Sequence, residues 1–321
     1  MTGRRTILGL AMALTLLLAS GSAQAVLVPN APAITAKLVF IHHSCGENWL
    51  SNSSGRLGIA LRDNNYFVSD TNYGWGPDSI GDTTDIGHWW TWFRGPRRDV
   101  YMRALFTNYL RAGDYYSRRA VDPGGENSVI MFKSCYPNSF LDGNPNAPAT
   151  TGANPLRGQS CDSAHHTVAN AKGIYNDILT YFATRRDKLF IMVTAPPQVA
   201  NNTDDHEAAN ARALNNWLVR NWLRNYRYRN VAVFDFFNVL TSNNGSPQSS
   251  DLGSASGNHH RFLNGAIQHI QTVNRNVAAY ASDEADDHPN QTGNTKARVE
   301  FIKLLNIYYR CWRGSGGCPQ R

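Results

Sequence analysis

The stretch KLVFIHHSCGENW, Lys37 to Trp49, decides how the rest of the chain is read. Lys37–His43 is rich in Val, Ile and Phe and does not alternate between apolar and polar residues. That composition fits a strand covered on both faces rather than one with a wet side. The run then stops at Ser44, Cys45 and Gly46, a turn-forming sequence. Two histidines, a serine and a thiol therefore stand where a buried strand gives way to a turn. Each is chemically competent: a serine or thiol as nucleophile, a histidine as base or metal ligand.

Four further runs share this character: Tyr66–Asp70, Ser128–Phe132, Lys188–Thr194 and Asn230–Phe236. Helical periodicity lies between and after them, over Leu57–Asn64, Val100–Arg111, Ser163–Arg186, His206–Tyr226 and Thr295–Tyr309. The Ser163–Arg186 segment, for example, aligns Val168, Ala171, Ile174, Ile178 and Tyr181 on one stripe. Strands alternating with helices predict a doubly wound α/β fold around a five-stranded parallel sheet. Two loops, 135–162 and 238–258, are rich in Asn, Gly, Pro or Ser. Both follow strands, so both belong at the carboxyl edge of the sheet, where open α/β folds bind ligands.

The amino-terminal 25 residues read differently. Arg4 and Arg5 precede an apolar run from Ile7 to Ala19, followed by the small-residue site Ala23-Gln24-Ala25. This is the pattern of a secretory signal peptide, too short in its apolar core for a membrane span. It predicts a secreted or periplasmic protein whose mature chain, 26–321, is one domain. No later run is apolar enough to suggest stable membrane insertion. The formal charge is +7, and Arg4 and Arg5 account for two of those charges. The remaining basic residues are scattered, as in "RGPRRD" and "RNYRYRN", and read as solvated helix faces rather than a nucleic-acid surface. Of the five cysteines, Cys311 and Cys318 close a short loop and are expected to pair. Cys45, Cys135 and Cys161 leave an odd number, and the sequence does not choose among them.

Serine is a weak nucleophile at neutral pH and needs a base. His288, in "DEADDHPNQTG", lies in a polar segment just before the last helix, again at the carboxyl edge. Asp286, two residues earlier, is placed to orient its imidazole, which completes the logic of a serine–histidine–acid triad. "MFKSCYPNS" ends another strand at the same edge. Asn138 in it, the Ser44 backbone N–H and a glycine after the second strand, Gly74 or Gly81, are candidate oxyanion donors. His42 and His43 point to opposite sides if the strand continues through them, with His43 then a substrate-side residue. No metal-ligand spacing is evident, and no cofactor is implied. His165-His166 and His259-His260 read as helix or loop surface. Trp89, Trp90 and Trp92 in "GHWWTWFRGP" are read as core or loop anchors, with Trp90 also a candidate sugar-stacking residue.

These blocks, taken in order, resemble the SGNH (GDSL-like) hydrolase superfamily. "FIHHSCG" puts Ser44 in the family's serine place and His42-His43 in its Gly-Asp place. "VIMFKSCYPNS" stands for the asparagine block, with Asn138 offset. "HPNQTG" continues from His288 much as the family does, and "LFIMVTAPP" looks like its strand before a proline turn. The departures are the missing Gly-Asp, the rebuilt asparagine block, and Ala285 at the usual acid position, which leaves Asp286 or Asp287. The resemblance implies a flavodoxin-like three-layer α/β/α sandwich and hydrolysis of acyl esters, often acetyl esters on carbohydrates or lipids, without metal. Acyl transfer to a polysaccharide by the same residues, or glycan binding without catalysis, are the alternatives.

Overall fold

The computed structural model of the chain describes residues 26–113 and 115–319. The expected signal peptide falls on residues 1–25 and lies outside them. In chain order the elements are β1 (Ala36–Ile41), α1 (Ser44–Leu50), α2 (Leu57–Asp63), β2 (Tyr66–Thr71), α3 (His88–Arg94), α4 (Arg98–Thr107), β3 (Val129–Lys133), α5 (Val168–Phe182), β4 (Leu189–Val193), α6 (Asp205–Arg220), β5 (Val231–Phe234), α7 (Phe236–Val239), β6 (Asn258–Leu263), β7 (Ala266–Gln271), β8 (Ala281–Asp283), β9 (Asp286–Pro289) and α8 (Gln291–Trp312).

Five of these strands form one all-parallel sheet in the order β2-β1-β3-β4-β5. That is the doubly wound order of flavodoxin-like folds. Alternate residues of each strand feed different layers, as the two-residue period of a strand requires. Val39 and Ile41 of β1 join the core built on α3, α4, α5 and α6. Leu38 and Phe40 join the core built on α1, α2 and α8. Every residue of β1 to β5 is buried. Both faces are therefore covered, which is why the strand runs lack alternation. The result is the three-layer α/β/α arrangement.

Local sequence chemistry sets the helix starts. Asp204 accepts a hydrogen bond from the Glu207 N–H while the Glu207 carboxylate accepts one from the Asp204 N–H, a reciprocal cap at the start of α6. Asn290 caps α8 by accepting from the Gly293 N–H. Such caps contribute about 1 kcal/mol each. Gly293 is required for another reason: a Cβ there would lie 2.5 Å from the Tyr280 Cβ. The "HPNQTG" block thus combines a functional histidine with a helix cap and a close contact.

Trp49 ties the two halves of the candidate site together. It is fully buried among Phe40, Phe234, Phe236 and Phe301. Its indole N–H donates to the Asn294 carbonyl, and the Asn294 amide donates to the Pro289 carbonyl. The helix that begins with Ser44 is thereby fixed to the segment that carries His288.

The structure corrects several expectations. His259 and His260 are not surface residues but lie buried in β6, part of a β6–β7 hairpin absent from the sequence reading. The Glu300 carboxylate accepts from the His259 Nδ1–H at 2.7 Å and from the His260 N–H at 2.9 Å. His166 is also buried, donating from Nδ1 to the Phe140 carbonyl. β1 stops at Ile41, so His42 and His43 do not alternate as strand residues. The "HWWTWFR" segment forms α3. Cys311 and Cys318 are joined by a disulfide, whereas Cys45, Cys135 and Cys161 are free thiols. No helix among the described residues is long and apolar enough to cross a membrane.

Candidate active site

The site begins where β1 ends. His43 is the extended residue before α1, and Ser44 is the first residue of that helix. The Ser44 backbone N–H is one of the amino-terminal N–H groups that a helix cannot satisfy internally, and it has no hydrogen-bond partner among the described residues. The turn is tight because Gly46 packs on His42: a Cβ at position 46 would lie 2.3 Å from the His42 Cβ.

His288 comes from β9, half of the short β8–β9 hairpin. Asp286 and His288 are two residues apart on that strand, and such a pair shares one face. The His288 Nδ1–H donates to Asp286 Oδ1 at 2.6 Å, and the His288 backbone N–H donates to the same oxygen at 2.9 Å. This fixes Nδ1 as the protonated nitrogen. Nε2 is left to accept the Ser44 hydroxyl proton, with Ser44 Oγ at 2.8 Å. Burial acts against ionisation of Asp286, but the two His288 hydrogen bonds and the neighbouring imidazole outweigh it and hold its carboxyl below the usual range.

Asp287, the other candidate acid, has a different task. It is buried, its Oδ1 accepts from the Val199 N–H at 2.6 Å, and its Oδ2 accepts from the Asn202 amide at 2.9 Å. It pins the hairpin to the loop after β4.

The oxyanion candidates divide. The Gly74 N–H is spent on Asp82 Oδ1 at 2.6 Å, and the Gly81 N–H on the Trp75 carbonyl at 2.8 Å. Neither glycine therefore offers a free donor, which corrects the expectation for Gly74. Asn138 is buried, with its carbonyl accepting from the Ile86 N–H and one amide hydrogen donated to Asp85 Oδ1. One amide hydrogen of Asn138 and the Ser44 N–H remain as donors.

His43 donates from Nε2 to the Gly81 carbonyl at 2.7 Å and stacks on Tyr73 with ring centroids 3.9 Å apart. Burial lowers its pKa. Trp90 is not part of this group. It packs against the core of the other layer, with the Arg157 guanidinium over its ring.

The unexplained half of the His-His pair is resolved by a residue that sequence reasoning did not select. His42 is fully buried, with Nε2 3.1 Å from Asp70 Oδ2 and Nδ1 3.0 Å from the His43 carbonyl. Both partners are acceptors, so the geometry calls for a ring donating from both nitrogens. Asp70 also accepts from the Tyr116 hydroxyl and the Ala112 N–H. Burial pushes Asp70 up, but His42 and these donors outweigh it and bring its carboxyl below the usual range. The parallel register places Asp70 beside Phe40 of β1, adjacent to the turn. A polar residue at the end of an otherwise apolar strand was the only signal for it.

The sequence also gave no indication of Cys135 and Tyr136 as neighbours. Cys135 Sγ lies 3.6 Å from Ser44 Oγ. The Cys45 thiol hydrogen-bonds to Cys135, and this, against the opposing effect of burial and with Lys133 nearby, draws the Cys135 thiol well down. Burial pushes Cys45 well up. The Tyr136 ring meets His288 edge-on at 5.1 Å. No group of three or more His, Cys, Asp or Glu among the described residues is placed to hold a metal ion.

No protein-family model matches the chain, and no curated protein does. A solved crystal structure aligns over 86% of this chain and 98% of its own, at 12% identity and a TM-score of 0.28. A likeness of that degree carries no argument about fold or activity.

Proposed function

We propose that this protein is an exported serine esterase of SGNH type that hydrolyses acyl esters, acetyl esters of carbohydrates being the favoured class. The observation that carries the proposal is the continuous chain Ser44 Oγ–His288 Nε2, His288 Nδ1–Asp286 Oδ1, at 2.8 and 2.6 Å. Such contacts lie within hydrogen-bond reach for proton transfer.

In the proposed reaction the Ser44 oxygen attacks the acyl carbon as His288 Nε2 takes its proton. Asp286 holds the imidazole in the required tautomer and stabilises the imidazolium. The Ser44 N–H and the remaining Asn138 amide hydrogen face the charge developing on the carbonyl oxygen. Loss of one such donor typically costs about 3 kcal/mol of transition-state stabilisation. His288 then protonates the leaving alcohol, and a water activated by the same nitrogen releases the acid. Tyr73, well exposed beside Ser44, and the Tyr136 ring against His288 supply flat apolar faces that suit the C–H face of a sugar. They favour a carbohydrate alcohol over a simple one. Export is supported by the signal-like amino terminus and by the Cys311–Cys318 disulfide.

The test is hydrolysis of p-nitrophenyl acetate and of an acetylated polysaccharide by the wild-type chain and by Ser44→Ala. Equal rates refute the proposal. Acyl transfer by the same residues is separated from hydrolysis by product analysis with sugar acceptors present. Glycan binding without turnover of either ester would instead point to a binding protein.

A further inference from the structure

A cavity of about 580 Å³ runs along the outer edge of β5, the last strand in the sheet order. None of Ser44, Asp286 or His288 lines it. Its size is that of a small-molecule site. Val219, Leu223, Val231 and Ile267 supply apolar wall. Three arginines, Arg220, Arg224 and Arg229, also border it, all exposed. None of them forms an ion pair with a carboxylate among the described residues, unlike Arg157 and Arg185.

The deeper polar group is His269. Its side chain is 10% exposed and its Nε2–H donates to Asp235 Oδ2 at 2.8 Å. Its Nδ1 is buried with no hydrogen-bond partner. A buried polar nitrogen left unpaired costs about 1–3 kcal/mol, so such a group calls for an explanation. Burial is the largest influence on Asp235 and raises it, but His269 and Arg212 outweigh it and hold the carboxyl down at about 2. Asp235 therefore fixes Nε2 as the donating nitrogen and leaves Nδ1 as a free acceptor facing a guest. His260, beside it, is kept neutral by burial, at about 3.

We propose that this cavity binds an organic carboxylate with an aliphatic body. The carboxylate meets the arginines at the mouth, whose planar guanidinium groups match it. The aliphatic body covers the apolar wall, and a hydroxyl on the far end donates to His269 Nδ1. A hydroxylated medium-chain acid satisfies all three contacts.

The experiment is calorimetric titration of the full chain with decanoate, 10-hydroxydecanoate and decan-1-ol. Decanoate is expected to bind with a Kd below about 1 mM, 10-hydroxydecanoate more tightly, and decan-1-ol more weakly than decanoate. The double variant Arg220→Glu/Arg224→Glu, at exposed positions, is expected to weaken decanoate binding by about tenfold or more. If that variant fails to fold, the salt dependence on the wild-type chain replaces it, because added salt must weaken an arginine-held anion. No binding of decanoate, binding unchanged by charge reversal or salt, or decan-1-ol binding as well as decanoate overturns the proposal. A 10-hydroxyl group that adds no affinity overturns the role of His269.

Discussion

Asp286 and Asp287 are adjacent acids with separable roles, and replacing each by Asn distinguishes them. Asp286 Oδ1 accepts two hydrogen bonds from His288, yet its side chain is 48% exposed. A charge-assisted hydrogen bond is worth about 1.5–3 kcal/mol, and solvent screening of so exposed a carboxylate places the loss toward the lower half of that range. At 1.36 kcal/mol per factor of ten, a loss of about 2 kcal/mol lowers kcat about 30-fold. The fold should be little affected, because Asp286 holds only His288. Asp287→Asn keeps the bond from the Val199 N–H but sets an amide against the Asn202 amide. It should cost about 1–2 kcal/mol of stability, or several degrees in Tm, with the intrinsic rate of the folded enzyme within about threefold of wild type. The assay is p-nitrophenyl acetate turnover at neutral pH beside a thermal melt for each variant. A rate for Asp286→Asn within threefold of wild type, or a rate loss greater for Asp287→Asn than for Asp286→Asn, would refute this division of labour.

Other outcomes follow from the same geometry. Gly46→Ala forces a Cβ to 2.3 Å from the His42 Cβ; because His42 is held at both ring nitrogens, overpacking should cost about 1–3 kcal/mol and lower activity through displacement of Ser44, as read by melting and turnover. Asp235, held down at about 2, stabilises the fold above the unfolded carboxyl value near 4 and loses that contribution as pH falls through the folded value. Asp235→Asn should therefore remove about 2 kcal/mol at pH 7 and flatten the fall of Tm between pH 4 and 2; an unchanged acid limb would contradict the pairing with His269. Cys135→Ala should retain turnover within about tenfold, because His288 contacts Ser44 rather than the thiol; complete loss in a folded variant would shift the nucleophile to Cys135.

The framework of this site was readable in the sequence because it rests on buried strands. Five runs with no alternation correspond to the five strands of the sheet, within one or two residues at their ends. The strand-end position of Ser44 and the i, i+2 spacing of Asp286 and His288 follow from local pattern alone. What could not be read was long-range pairing. Asp70 meets His42 across 28 residues and Cys135 meets Ser44 across 91, and neither contact leaves a local signature. The β6–β7 hairpin was hidden because its histidines and asparagine are buried polar residues satisfied by Glu300 and Lys296, so the segment lacks the apolar signal of a strand. The Gly74 expectation failed for a related reason: the carboxylate that takes its N–H, Asp82, is identified only by the folded loop.

The central claim is that Ser44 is a nucleophile activated by His288. The most direct measurement is covalent labelling with diisopropyl fluorophosphate, followed by mass spectrometry of the digested chain. One adduct on the peptide carrying Ser44, lost in His288→Ala at unchanged fold, is the result expected. No adduct under conditions that label a reference serine esterase, or an adduct elsewhere with Ser44 unmodified, would contradict it.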